Sequence, residues 1–201
     1  MKILGFILII IMCIGSVYAA DEKGQFAVRN AGMVSCDVFV KEAQKKEKSR
    51  AYNMYLGWID GYISAANQFT NKTFDLAPWG NTPFYAVLLS KYCEKHPKDP
   101  FYIAVNKFVG SQVQNRLQTS SILIPVTNGK DSTHVYVGVL KTVQQILKNE
   151  KYYKGTVDGQ FGPGTIKALK KFQKANKLAE TGLPDQLTLY MAYTKYSKSS
   201  K

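Results

Sequence analysis

The residues best placed to do chemistry crowd into one stretch, Gly155 to Gln173, which reads GTVDGQFGPGTIKALKKFQ. An acid, several glycines and an aromatic ring there precede a helix start, the composition of an active-site loop. The loop has few partners for catalysis. His96 and His134 are the only histidines and lie far apart in the chain, so a His-rich zinc centre cannot be assembled from them. No cysteine follows Cys93, which leaves the second half without a thiol nucleophile. No glutamate is followed by serine, and the carboxylates Asp60 and Asp75 have no feature that marks them as an acid/base pair. With no CxxC or HxxxH spacing, neither a metal site nor any cofactor is expected. The chain reads as a non-enzyme.

Residues 1–19 have the form of a secretory signal peptide. Lys2 is the positive start, Ile3 to Ile14 is mostly apolar, and Val17-Tyr18-Ala19 offers small side chains for cleavage after Ala19, with Ala20 the alternative. The apolar run falls short of the roughly 20 residues that span a bilayer, so no membrane span is expected after cleavage, and the protein is placed in the periplasm, secreted, or otherwise in the cell envelope. Removing the leader removes Cys13. Cys36 and Cys93 remain, and in an oxidising compartment pairing is the simplest reading, with buried free thiols the alternative.

Charge divides unevenly. Residues 21–110 carry 12 Lys+Arg against 9 Asp+Glu, and residues 111–201 carry 14 against 5. The excess in the second half favours an acidic partner or else a solvated lysine surface. No recognition motif accompanies it, so nucleic acid is not expected.

Periodicity lays out an all-α chain in two parts. Over 20–118, Ser35 is placed to cap a first helix. Tyr55, Leu56, Ile59, Tyr62, Ile63, Ala66 and Phe69 line the buried face of a second. Thr82 with Pro83 starts a third, and Asp99-Pro100 starts a fourth that runs towards Leu117. Residues 119–133 break the period with Pro125 and Asn128-Gly129 and read as a linker. The helical period resumes at His134 and opens a three-helix unit over 134–201, with Gly155 expected as a left-handed helix stop. Within it, Gly159 and Thr165 have the same spacing as Gly182 and Thr188, each run joining a turn to a helix start, with Asp185 capping the last helix.

Those residues carry a resemblance. Tyr153, Gly155, Asp158-Gly159, Phe161-Gly162-Pro163, Thr165, Ala168-Leu169, Phe172-Gln173, Leu178, Thr181-Gly182, Asp185 and Thr188 closely resemble the peptidoglycan-binding domain appended to bacterial cell-wall hydrolases. The resemblance implies a three-helix binding domain with peptidoglycan as partner, and Tyr152, Tyr153, Asp158, Gln160 and Gln173 are the candidate binding residues. The first part is more loosely similar to HdeA-like acid-stress chaperones and Tai-type immunity proteins. It shares with them an early cysteine, the Trp58 to Tyr62 step and Tyr92-Cys93 before Pro97. That resemblance implies a disulfide-stapled four-helix domain whose partner would be an envelope protein or toxin. The expected function is a non-catalytic wall-binding protein. The alternatives are an immunity or chaperone-like protein localised by its wall domain, or an accessory subunit of a wall hydrolase.

Overall fold

The computed structural model describes residues 20–47 and 49–199, with side chains to residue 195. The leader expected over 1–19 lies outside the described residues. Four helices form the first half: α1 (Cys36–Ala43), α2 (Arg50–Phe69), α3 (Thr82–Lys95) and α4 (Phe101–Gln112), with 3-10 turns at Asn30–Met33 and Val113–Asn115. Two of the starts are capped by a side chain, whereas Ser35, expected to cap α1, makes no capping hydrogen bond and donates its hydroxyl to Asp37 instead. The Ser49 hydroxyl accepts the Tyr52 N–H at 3.0 Å to begin α2. Asn81, one residue before the expected cap Thr82, accepts the Phe84 N–H at 3.0 Å to begin α3. Thr82 instead donates its hydroxyl to Asp60, which ties α2 to α3.

Three rings make the centre of this half. Phe39, Tyr55 and Phe101 lie with centroids 4.3 to 5.1 Å apart, within the range where aromatic pairs add to simple burial. Cys36 of α1 and Cys93 of α3 form a disulfide across a sequence separation of 57, and both are fully buried. The buried face of α2 is Tyr52, Tyr55, Ile59 and Ile63, while Phe69, expected on that face, is 81% exposed. The fourth helix stops at Gln112, short of the Leu117 end expected for it. Leu117 is taken up by a bridge to Asp75, with Leu117 N–H to Asp75 C=O at 2.8 Å and the reverse at 3.2 Å.

The expected linker is largely strand. β1 (Leu123–Asn128) and β2 (Asp131–Tyr136) pair antiparallel in register from Leu123↔Tyr136 to Asn128↔Asp131, turning through Gly129 at φ +65°. The described residues are therefore mostly helical with one hairpin, and not all-α. His134, expected to open a helix, lies in β2 opposite Pro125. In a two-stranded ribbon each strand has a free edge, where a proline costs no ladder bond. Three helices follow: α5 (Val137–Asn149), α6 (Pro163–Ala175) and α7 (Gln186–Ser199). The Ser121 hydroxyl accepts the Gly138 N–H at 2.9 Å, serving the start of α5 from outside the helix.

The two halves touch along Trp79, which is buried. Its ring stacks on Tyr193 at 6.1 Å and 28°, and lies 6.0 Å from Tyr190. Its indole N–H donates to Gln112 Oε1 at 2.9 Å. Gln186 completes the seam, donating to the Trp79 carbonyl at 3.1 Å and accepting the Asn81 N–H at 3.0 Å.

Candidate functional site

The loop between α5 and α6 is built on one side chain, Gln144, which is 0% exposed. Its Oε1 accepts the backbone N–H groups of Asp158 at 3.0 Å and Gly159 at 2.8 Å. Those donors are unambiguous and fix the amide orientation. Its Nε2 then faces Asp158 Oδ1, the Gln160 carbonyl and Thr165 Oγ1 at 3.0 to 3.1 Å. One buried amide thus satisfies both sides of a tight turn and the first turn of α6. Gly159 turns at φ +78°, and a Cβ there would lie 2.7 Å from Val137 Cγ1 and 3.0 Å from the Val137 carbonyl. Left-handed strain alone costs roughly 1–3 kcal/mol for a non-glycine, and the overlap adds to it. Gly159→Ala is expected to lower unfolding stability by about 3 kcal/mol, read by urea denaturation. A loss under about 1 kcal/mol would contradict this packing of the turn.

The arrangement occurs twice. Gln173 of α6, also 0% exposed, accepts the Gly182 N–H at 2.8 Å. Its amide nitrogen faces Thr181 Oγ1, Thr188 Oγ1 and the Leu183 carbonyl at 2.9 to 3.0 Å. Gly182 turns at φ +68°, as Gly159 does, and Asp185 Oδ1 accepts the Thr188 N–H at 3.0 Å to start α7. The tip of the hairpin reaches this second turn, where Asn128 Nδ2 donates to the Thr181 carbonyl at 2.6 Å. The sequence repeat between Gly159–Thr165 and Gly182–Thr188 is therefore a repeated hydrogen-bond unit, with a buried glutamine at the centre of each copy.

The candidate binding residues separate on this scaffold. Gln173 is enclosed, with its whole amide spent on the second turn, and offers nothing to a ligand. Asp158 and Gln160 are exposed at the first turn. Asp158 accepts the Gln160 N–H at 2.9 Å, and that bond, followed by the Gln144 amide, holds its carboxyl below the usual carboxylate range. A depressed folded-state pKa gives stability present above the unfolded pKa and lost as pH falls through the folded one. Tyr152 and Tyr153 are half-buried beside the turn, and both of their backbone N–H groups donate to the Leu147 carbonyl. The Tyr152 ring meets Phe172 edge-on at 5.9 Å. Tyr153 donates its hydroxyl to the Thr156 carbonyl at 2.9 Å, and its ring covers Gly155, where a Cβ would come within 2.5 Å of it. Gly155 leaves room for this close approach. The left-handed stop expected of it is supplied by Lys151 at φ +64°.

The groups first weighed for catalysis are spread out. Asp60 is occupied by Thr82, Asp75 accepts the Ala77 N–H at 3.0 Å, and His96 ends α3 stacked on Tyr92 at 4.4 Å. Burial pushes the Asp75 carboxyl above its usual range. Among the described residues, no three His, Cys, Asp or Glu side chains gather as a metal site would require, and no helix is long and apolar enough to cross a membrane.

The repeated turn-and-helix unit falls within a known family signature. Residues 139–191 match the family model described as a putative peptidoglycan binding domain. The match begins in α5, takes in both buried glutamines and both turns, and ends inside α7. The match covers about a quarter of the chain and supports peptidoglycan binding by the C-terminal region. No curated protein and no solved structure matches the chain.

Proposed function

We propose that the chain is an exported, non-catalytic envelope protein that binds peptidoglycan through residues 134–201 and holds the helical residues 20–118 at the wall. The observation that carries the reading is the family match over residues 139–191. The rigidity of the two glutamine-centred turns supports it, because a surface held by buried amides can meet a polymer without first paying to order itself. The binding surface lies around the first turn. Tyr152 and Tyr153 offer ring faces for stacking on sugars, and Asp158 and Gln160 offer exposed polar groups.

The test is the full chain with Tyr152→Ala and Gln160→Ala together, sedimented with purified sacculi. Affinity is expected to fall about tenfold, the equivalent of roughly 1.4 kcal/mol, with the melting temperature lowered by a few degrees at most. Unchanged sedimentation would remove this surface from the proposal. Release of labelled fragments from peptidoglycan by the pure protein would overturn the non-catalytic part.

A second reading has its own observation. Met54, Phe69 and Val87 are large apolar side chains standing half or more exposed on the helical half, where an immunity or chaperone-like protein would meet its partner. Co-purification of a secreted toxin or client with the full chain would favour it.

A further inference from the structure

α6 has a second face that the turn network does not use. Its buried side is Thr165, Ala168, Leu169, Phe172 and Gln173. On the opposite side Lys167, Lys170, Lys171 and Lys174 stand exposed and, with Pro163, Ile166 and Glu180, line a groove of about 520 Å³. These lysines stack like charges at three- and four-residue spacing, an arrangement that weakens a helix. None of the four enters an ion pair among the described residues. Glu180 is the one carboxylate among the lining residues.

The lining specifies its occupant. The four lysines call for carboxylates or phosphates, Pro163, Ile166 and the lysine stems suit small aliphatic groups, and Glu180 suits an amine. A glycan strand of hydroxyls and acetamides has no charge to offer the lysines. A phosphodiester polymer would satisfy them but would be repelled by Glu180. A short peptide with several carboxylates, alanine-like side chains and a free amine satisfies all three. Lys167 to Lys174 covers about 10 Å of helix axis, the reach of roughly three extended residues.

We propose that this groove docks the stem peptide of peptidoglycan, its carboxylates against the α6 lysines and its free amine towards Glu180. The proposal rests on the wall-binding reading and adds to it the moiety bound. Each exposed ion pair contributes little, so one stem peptide binds weakly, and the repetition of stems along the wall supplies avidity.

The test uses the full chain and the variant carrying Lys167→Gln, Lys170→Gln, Lys171→Gln and Lys174→Gln. Both are sedimented with intact sacculi, with a resin bearing the peptide-free glycan strands that an amidase releases from sacculi, and with a resin bearing poly(glycerol phosphate). Wild type is expected to lose about tenfold in affinity on the peptide-free glycan resin, and the variant to lose as much on intact sacculi, through the sum of several weak pairs. The variant should melt no lower than wild type, since only like-charge repulsion is removed. Glu180→Gln separates the sources further. It should weaken sacculus binding about twofold if an amine is held there, whereas a simple polyanion would bind more tightly once the acid is gone. Equal binding by variant and wild type, or to the peptide-free glycan resin and intact sacculi, overturns the groove while leaving wall binding in place. Stronger retention on the phosphate resin, with Glu180→Gln tightening it, overturns it in favour of a phosphodiester polymer. Wild type that ignores intact sacculi removes both readings.

Discussion

Gln144→Leu is expected to lower the unfolding free energy by about 4 kcal/mol, the largest effect of any single substitution in the C-terminal region. Leucine preserves most of the volume and strips out every hydrogen bond. The N–H groups of Asp158 and Gly159 lose their acceptor, and the Gln160 carbonyl and Thr165 hydroxyl lose a donor. Each buried group left unpaired costs roughly 1–3 kcal/mol, and the burial of a larger apolar side chain returns only part of it. Asp158 is exposed and water replaces its share, so it adds little to the total. The loss is comparable with the whole stability of a small domain, about 5–15 kcal/mol. The loop from Gly155 to Gly162 should therefore lose amide protection from hydrogen exchange before the rest of the chain. Gln144→Leu melting within about 1 kcal/mol of wild type would show that the turn is held by other contacts.

The disulfide is the second large term, and it acts on the other half. Cys36 and Cys93 tie the start of α1 to the last turns of α3 across 57 residues of sequence. By the chain-entropy model, closing a loop of that length stabilises the native state by about 4 kcal/mol. Paired Cys36→Ala and Cys93→Ala substitutions are expected to cost that amount, and reduction of the wild type should cost a similar amount once the buried bridge is reached. The core around it stays intact, since Phe39, Tyr55 and Phe101 do not depend on sulfur for their packing. The double variant should thus fold at low temperature with a lowered midpoint and an unchanged near-ultraviolet signal. A midpoint insensitive to both reduction and substitution would contradict the stapling role. The α5–α7 region should hold its own amide protection in either case, which distinguishes this loss from that of Gln144→Leu.

How much the sequence discloses depends on whether the information is local. Ser49, Asn81 and Asp185 cap helices through contacts three residues away, and proline at the starts of α3 and α6 is equally local, so those elements are legible within a residue or two. The hairpin is harder. Asn128-Gly129 is a hairpin signal, but Pro125 and the polar run from Asp131 to Thr133 mask the strands around it. Gly155 illustrates another limit. A glycine after a helix suggests a left-handed stop, whereas here Lys151 takes that conformation and Gly155 makes room for a ring. The seam of Trp79 with Tyr190 and Tyr193 joins segments distant in sequence, and no local pattern encodes it.

The glutamines are the most instructive case. Gln173 reads as a polar candidate for ligand contact, and Gln144 attracts no notice at all. Both nevertheless fall in apolar stripes: Gln144 lies four residues after Leu140 and three before Leu147, and Gln173 four after Leu169. A polar side chain at the middle of a buried stripe must find partners indoors. Followed by a glycine turn and a threonine at fixed spacing, it marks the hub of each half-repeat. The candidate surface is what remains once those hubs are removed: the exposed Asp158 and Gln160, the two half-buried tyrosines and the lysine face of α6.

The most direct measurement for the account is sedimentation of the full, disulfide-intact chain with purified sacculi over a series of protein concentrations, with a chitin suspension as the control polymer. Saturable retention on sacculi is expected, weakened by added salt because the C-terminal region is strongly cationic, with no retention on chitin. Protein that stays in the supernatant at every concentration, or that partitions equally onto both polymers, would contradict it.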